Sequence, residues 1–370
     1  MKTLIKTNTI ASPEGICSGQ NILIQNGIIR EIVPDSSHTP TDHVIDVSKY
    51  LVAPGFMDIH THGAVGYNFI SANHEQLDFI GTAFAKHGVT RYLATLMEND
   101  PYKFDQAIHR FQTYCPAACA AIPIGIHLEG PYLCPKYPGD MGKKQVRIPN
   151  PAEYLPWFDS GIVRMITVAP ELPGAIEMIT AAKERGIIVS IGHGSPNDTQ
   201  VHTAFDAGAS QITHIFNQML GLDHHQAGLI DAALLNDSVA LQIIADKDHL
   251  HPVTLKVLTK LKSPQYLILV TDSTEENGLN LSIPFDNKAI AGTLTMDQAV
   301  RNILEHTKVE PINALQMAST SPATSLNLEN TFGSIQPGVT ADFVVLDQQM
   351  QVVMTLINGN IAYQADIKIV

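Results

Sequence analysis

The sequence predicts an α/β chain: a (β/α)8 TIM barrel with a small discontinuous β-sandwich domain built from both termini. Three observations predict it. Through the middle of the chain, apolar runs of strand length alternate with stretches of 3–4 residue apolar period. Nearly every such run ends in a polar group, as when all strand ends converge on one mouth. Both ends of the chain read instead as short strands joined by tight turns. A doubly wound open sheet is the rival for the middle.

From the N-terminus, Asn21 to Val33 is two apolar runs joined by Asn26-Gly27, a tight-hairpin signal. At the other end, Ala341–Asp347 is a strand and Val352–Ile361 turns at Asn358-Gly359. Residues 1–52 plus 333–370 are therefore expected to form the sandwich, and 53–332 the barrel. The expected barrel strands are Leu51–His60, Val89–Leu96, Ala121–Leu128, Val163–Ala169, Ile187–Ile191, Gln211–Ile215, Val239–Ile244 and Tyr266–Val270. The clearest helices are Glu75–His87, Lys103–Tyr114, Ala175–Arg185 and Pro252–Leu261.

Composition narrows the function. A chain of 370 residues, 45% apolar and 16% charged, is ordinary for a soluble globular enzyme. A formal net charge of −13 with no long Lys/Arg run argues against nucleic acid as a partner. Met1–Ile10 lacks the apolar core of a signal peptide, and no apolar run is long enough for a membrane span, so the expectation is cytoplasmic, with no membrane partner. Four cysteines without a CxxC pair read as reduced thiols, and Cys115 and Cys119 as a helix end rather than ligands.

The candidate chemistry sits at the strand ends. In Asp58-Ile59-His60-Thr61-His62-Gly63 the two imidazoles alternate along a strand and face one side, as a metal-ligand pair would. An apolar run then delivers Glu129 to a Gly130-Pro131 break, His193 follows Ile191-Gly192, His214 sits in Thr213-His214-Ile215, and Asp272 follows Val270-Thr271. Together these strand ends put two His pairs, a Glu and an Asp at one mouth. Imidazole and carboxylate suit Zn2+ or a similar divalent ion with one position open for water. A carboxylate that is weakly ligated or not ligated then moves the proton from that water to a leaving nitrogen, and Asp272 is the candidate.

These residues carry a resemblance. The chain resembles the amidohydrolase superfamily and, within it, the N-acetylglucosamine-6-phosphate deacetylase family, through Pro54–Gly63, His127–Tyr132, Ala169–Glu171, Gly192-His193, Thr213–Asn217, Asp246 with His249, Val270–Asp272, Ala291-Gly292 and Gly333–Phe343. The resemblance implies that Glu129, His193 and His214 hold the main metal and that His60 and His62 hold or complete a second site. The ion would be Zn2+, with Fe2+, Mn2+ or Co2+ as alternatives, one or two per chain. It also implies Asp272 as general base and acid, His249 and Asn217 as substrate contacts, and a homodimer. Three positions depart from the family pattern where it reads sugar and phosphate: Met141 stands for a His, Gln218 for an Ala, and His225 for an Arg. Gly194 also replaces the usual Ser after His193. Neutral His does not replace a bidentate guanidinium, so Lys143, Lys144 and Arg147 become candidates for phosphate charge. The expected activity is metal-dependent deacetylation of an N-acetylated amino sugar, foremost N-acetylglucosamine-6-phosphate. The alternative is another N-acyl substrate: an unphosphorylated or epimeric sugar, an N-acyl amino acid or a cyclic amide. The segment Asn277 to Gly292, bounded by glycine, reads as a lid or a surface hairpin.

Overall fold

Eight parallel strands run in sequence order around one sheet, each followed by a helix. The structure, a computed structural model, describes residues 2–13, 15–37, 40–278 and 292–366. The strands are β1 (Phe56–Thr61), β2 (Val89–Leu96), β3 (Ile122–Glu129), β4 (Val163–Val168), β5 (Ile188–Ile191), β6 (Ala209–Ile212), β7 (Ala240–Ile244) and β8 (Leu267–Val270). The helices are α1 (His74–Lys86), α2 (Pro101–Thr113), α3 (Pro151–Asp159), α4 (Ala175–Glu184), α5 (Asp198–Ala207), α6 (Leu229–Leu235), α7 (Pro252–Leu261) and α8 (Met296–His306); α9 (Pro311–Ala318) and α10 (Thr320–Ser325) close the set. Just beyond the end of β8 the ring closes on β1: Asp272 N donates to His60 O at 2.9 Å and His62 N to Ser273 O at 2.7 Å. Buried Asp58 on β1 seals the same seam by accepting from Thr271 Oγ1 at 2.5 Å.

Local chemistry explains the elements. β2 is buried at every position, so it shows no apolar–polar alternation, and its Thr90, Arg91 and Thr95 find hydrogen-bond partners inside the protein. Asn73 and Asn197 start α1 and α5 with reciprocal capping boxes to Gln76 and Gln200. Asp100-Pro101 and Asn150-Pro151 start α2 and α3 with a side-chain cap followed by a residue whose missing N–H is not needed there.

The termini build two further sheets. One has four strands in the order Ile28–Pro34, Gln20–Gln25, Lys2–Lys6, His43–Asp46. The other has six, in the order Asn360–Gln364, Val352–Ile357, Phe343–Leu346, Leu51–Pro54, Thr9–Ser12, Gly15–Ser18. Ile5, Ile22 and Ile29 of the first pack with Ile10, Val52, Phe343 and Leu356 of the second in a core separate from the barrel's, so the sheets form a sandwich. Both Asn-Gly turns have positive φ at both residues, 53° and 78° at Asn26-Gly27 and 51° and 74° at Asn358-Gly359, which is the geometry such hairpins require.

Leu51–His60 is not one strand. Leu51–Pro54 pairs in the sandwich, Phe56–Thr61 in the barrel, and Gly55 between them donates to Asp342 O at 2.9 Å. A Cβ on Gly55 would lie 2.4 Å from Thr90 Cγ2, so only glycine lets the chain cross between the two layers here. The sixth strand stops at Ile212 rather than Ile215, because the backbone turns into the left-handed region at His214 and Phe216. Cys115 and Cys119 are exposed past the end of α2, and all four cysteines are unpaired. Of the expected lid, residues 279–291 lie outside the described residues. No helix among the described residues is long and apolar enough to cross a membrane.

Candidate active site

Every strand end singled out for chemistry opens at the same end of the barrel. His60 ends near the tip of β1 and His62 follows it; Glu129 is the last residue of β3. His193, His214 and Asp272 lie two residues past the ends of β5, β6 and β8, with φ of 50°, 23° and 48°. Such backbone is uncommon for residues other than glycine and costs about 1–3 kcal/mol each. Here it turns three side chains onto the barrel axis.

The side chains converge on Glu129. Its Oε1 lies 3.0 Å from both His193 Nε2 and His214 Nε2. Its Oε2 lies 3.3 Å from His60 Nε2 and 3.1 Å from His62 Nε2. Asp272 Oδ1 lies 3.4 Å and 3.2 Å from the same two imidazole nitrogens. Two ligand groups result, His60/His62/Glu129/Asp272 and Glu129/His193/His214, with Glu129 common to both. His60 Nε2 and Glu129 Oε2 are buried without a hydrogen-bond partner. Buried polar atoms left unpaired in this way are unfavourable unless something else occupies their lone pairs. A donor set of imidazole and carboxylate aimed at two shared points fits a divalent cation.

Neighbours set which ring nitrogen faces inward. His193 Nδ1 donates to Tyr137 O at 2.9 Å, which leaves Nε2 as the lone-pair nitrogen. His60 Nδ1 lies 2.9 Å from Gln242 Oε1 and is held in the same sense. His127, one layer deeper, is different: both its nitrogens are spent on Thr95 and Thr167 at 3.1 and 2.8 Å. Burial, reinforced by His60, drives its pKa well below the usual range, so it is a neutral member of the barrel's interior network.

The field of the cluster is strongly negative at the imidazoles. Burial alone would keep His60 and His62 neutral. The Glu129 and Asp272 carboxylates overcome it, raising His60 and pushing His62 up to about 10. Glu129 and Asp272 are in turn held below the usual carboxylate range, against burial, by the surrounding imidazoles. For His214 burial, helped by repulsion from His193, outweighs the bond to Glu129, and its pKa falls. A site that favours imidazolium to this degree equally favours a bound cation.

A cavity of about 500 Å3 opens above the cluster. The His62 and Asp272 side chains are 16% and 18% exposed to it, whereas His60 and Glu129 are sealed beneath. Asn217, Gln218 and His249 line its wall, with Asn68, Glu98, Asp140 and Glu275. His249 is steered by Asp246, whose Oδ2 lies 2.7 Å from His249 Nδ1, and that bond raises the His249 pKa. Met141 is buried and does not line the cavity, although Gly139 and Asp140 of the same turn do. His225 is exposed on the 221–227 loop, off the lining. Lys143 and Lys144 are exposed and also off it, while Arg147 is committed to Glu153 at 2.9 Å and to Asn99 O at 2.7 Å. Among the described residues no Lys or Arg lines the cavity. Gly194 has a local reason: a Cβ there would lie 2.5 Å from Glu171 Oε2, and Glu171 Oε1 accepts from Ser195 N at 2.7 Å.

The comparisons with known proteins match this geometry. The amidohydrolase family pattern covers residues 51–362. The chain belongs to the amidohydrolase family. The amidohydrolase is 31% identical to N-acetylglucosamine-6-phosphate deacetylase of Mus musculus over 88% of this chain and 86% of that one. It is 29% identical to N-acetylgalactosamine-6-phosphate deacetylase of Escherichia coli O157:H7 over 98% and 100% of the two chains. The crystal structure of N-acetylglucosamine-6-phosphate deacetylase from Pasteurella multocida, 24% identical, superposes on it with a TM-score of 0.91 over 99% of this chain and 100% of that one, which bears on the fold. The amidohydrolase thus falls in the N-acetylglucosamine-6-phosphate deacetylase family, whose members hydrolyse a carbon–nitrogen amide bond.

Two residues around the site, Gln242 and Gln211, escape the sequence analysis, which names Asp246 without its steering role. A lone glutamine inside an apolar strand (Val239–Ile244, Gln211-Ile212) is the signal that would have found each of them.

Proposed function

We propose that this amidohydrolase removes the acetyl group from an N-acetylated amino sugar, releasing acetate and the free amine, with N-acetylglucosamine-6-phosphate as the reference substrate. The observation that carries the reading is the convergence of His60, His62, His193, His214, Glu129 and Asp272 at the floor of the cavity, with His60 Nε2 and Glu129 Oε2 buried and unpaired. The relatives' names supply the substrate class.

In this reading Glu129, His193 and His214 would hold one divalent ion, and His60 and His62, with Glu129 shared, would hold or complete a second; Zn2+ suits the donors best, with Fe2+, Mn2+ and Co2+ as alternatives. When bound, the metal supplies Lewis acidity toward the acetyl carbonyl and acidifies water. Asp272, whose carboxylate faces the cavity, takes a proton from the attacking water and delivers it to the nitrogen as the carbon–nitrogen bond breaks. The neighbouring imidazoles lower its pKa and keep it ionised. His249, aimed by Asp246, whose bond raises its pKa, would donate to the carbonyl oxygen or a sugar hydroxyl, and Asn217 and Gln218 would meet sugar hydroxyls. His225 would serve from its exposed loop across a homodimer contact, and Met141 would back the wall formed by Gly139 and Asp140. A homodimer and a cytoplasmic setting complete the proposal; the exposed apolar stripe Val253, Val257, Leu261 on α7 supports the former, and sedimentation checks it.

One observation favours a second reading. Glu98, Asp140 and Glu275 line the cavity, and a phosphate dianion near them is repelled. An unphosphorylated N-acetyl sugar meets no such repulsion. Acetate release from N-acetylglucosamine-6-phosphate and from N-acetylglucosamine, measured side by side on the zinc-loaded protein, decides between them. Preference for the phosphate supports the first reading, and preference for the plain sugar supports the second. Release from neither overturns N-acetylglucosamine, phosphorylated or plain, as the substrate and points to another N-acyl compound.

A further inference from the structure

Two glutamines lie inside the barrel, where apolar side chains are the rule. Gln211 on β6 and Gln242 on β7 are both fully buried. Burying an amide without partners costs about 1–3 kcal/mol, so their hydrogen bonds are what allows them to be there. Those bonds run in one direction. Ser325 O, a backbone carbonyl at the end of α10, can only accept, and it takes a bond from Gln211 Nε2 at 3.4 Å. Gln211 therefore turns its Oε1 toward Gln242, whose Nε2 donates to it at 3.1 Å. The second Nε2 hydrogen of Gln242 faces Met165 Sδ at 3.7 Å, a weak acceptor that a carbonyl oxygen would not approach. Gln242 Oε1 is then left for His60, whose Nδ1 lies 2.9 Å away and must carry the proton.

We propose that Gln211 and Gln242 form a positioning relay that fixes His60 in the tautomer whose Nε2 lone pair faces Glu129 and Asp272, so that the backbone carbonyl of Ser325 dictates the orientation of a cation ligand on the far side of the barrel interior. The proposal rests on the metal-centre reading above and adds to it the groups that keep a proton on His60 Nδ1, so that Nε2 is the nitrogen that gives up its proton and meets the cation. Without the relay, the proton that His60 retains can sit on Nε2, where a lone pair is needed.

The test is zinc affinity, read by competition with a chromophoric chelator, together with the thermal midpoint of the metal-free protein. Gln242→Met keeps the volume and removes the acceptor. It should weaken zinc binding at the His60 site by about 10- to 100-fold, the usual effect of losing a partner behind a ligand. Gln242→Glu accepts from Nδ1 in either protonation state and should bind zinc within a few-fold of the parent. Gln211→Met leaves the His60 contact but frees Gln242 to flip, and should fall between the two; it also serves if Gln242→Met does not fold. A merely structural pair would lower the thermal midpoint in all three and leave zinc affinity unchanged. That result, or a loss in Gln242→Glu as large as in Gln242→Met, overturns the relay. A parent protein that binds no zinc overturns the metal-centre reading itself.

Discussion

The barrel buries charge at both of its ends, and the two clusters differ in how completely they are paired. At the start of β2, Arg91 Nε meets Asp342 Oδ2 at 2.6 Å, and its Nη2 meets Asp342 Oδ1 at 3.1 Å and Asn358 Oδ1 at 2.6 Å. Asn358 N closes the loop on Asp342 Oδ1 at 2.8 Å, and the guanidinium covers the Phe332 ring at 4.7 Å. Both Asp342 oxygens are paired within the protein. At the other end, the Glu129 cluster leaves His60 Nε2 and Glu129 Oε2 without partners. A buried cluster that completes its own hydrogen bonds fastens the barrel to the terminal sandwich. A buried cluster whose lone pairs converge is suited to holding a cation.

The comparison can be broken from either side. Asp272→Asn should keep zinc and the fold but lower turnover about 1,000-fold, the scale of a lost proton-transfer group. Full retention of turnover would remove Asp272 from the chemistry. Arg91→Met leaves Asp342 buried without its countercharge, with only Asn358 N still donating to it, and should cost about 3–5 kcal/mol in urea unfolding, with turnover per folded molecule unchanged. A change in turnover there would mean that the closed cluster also shapes the mouth.

A second closed cluster sharpens the point through pH. Asp297 on α8 accepts from Thr295 Oγ1 at 2.6 Å and Arg301 Nη1 at 2.9 Å, and its Oδ1 lies 3.0 Å from His87 Nδ1. Burial opposes its ionisation, but the bond to His87 and the neighbouring cation outweigh burial and hold its pKa at about 2. The folded value lies below the ordinary 3.8, so the stabilisation is fully present above about pH 4 and is lost as pH falls through 2. Asp297→Asn should remove about 2 kcal/mol of stability at neutral pH and flatten the acid side of the stability curve over that window. An unchanged acid slope would contradict the assignment. The smallest effect is expected from Lys143→Ala with Lys144→Ala, both exposed and off the cavity: KM for the phosphorylated sugar should move less than about two-fold, as for other solvated charges. A larger rise in KM would bring that loop over the mouth.

The site's reacting groups were legible because each interrupts or ends an apolar run. His60, Glu129, His193, His214 and Asp272 are the polar residues at or just past strand ends, and a barrel brings such ends together. The supporting groups were less legible because they sit within apolar runs and find their partners far along the chain. His60 and Gln242 are 182 residues apart, and nothing local to either announces the other. The turn at Gly55 was hidden for a related reason: residues 51–57 are apolar on both sides of it, and only the approach of Thr90 shows why the chain changes layers there. The surroundings of the cavity were misjudged for want of direction. Arg147 follows Lys143 and Lys144 in a basic stretch, yet Glu153 six residues on takes its charge.

The measurement that tests the central claim most directly is acetate release from N-acetylglucosamine-6-phosphate and N-acetylglucosamine by the same preparation as purified, after stripping with a chelator, and after Zn2+ is restored. Release from at least one sugar should disappear on stripping and return with zinc. Release that survives complete stripping, or none after zinc is restored and shown to be bound, would contradict that claim.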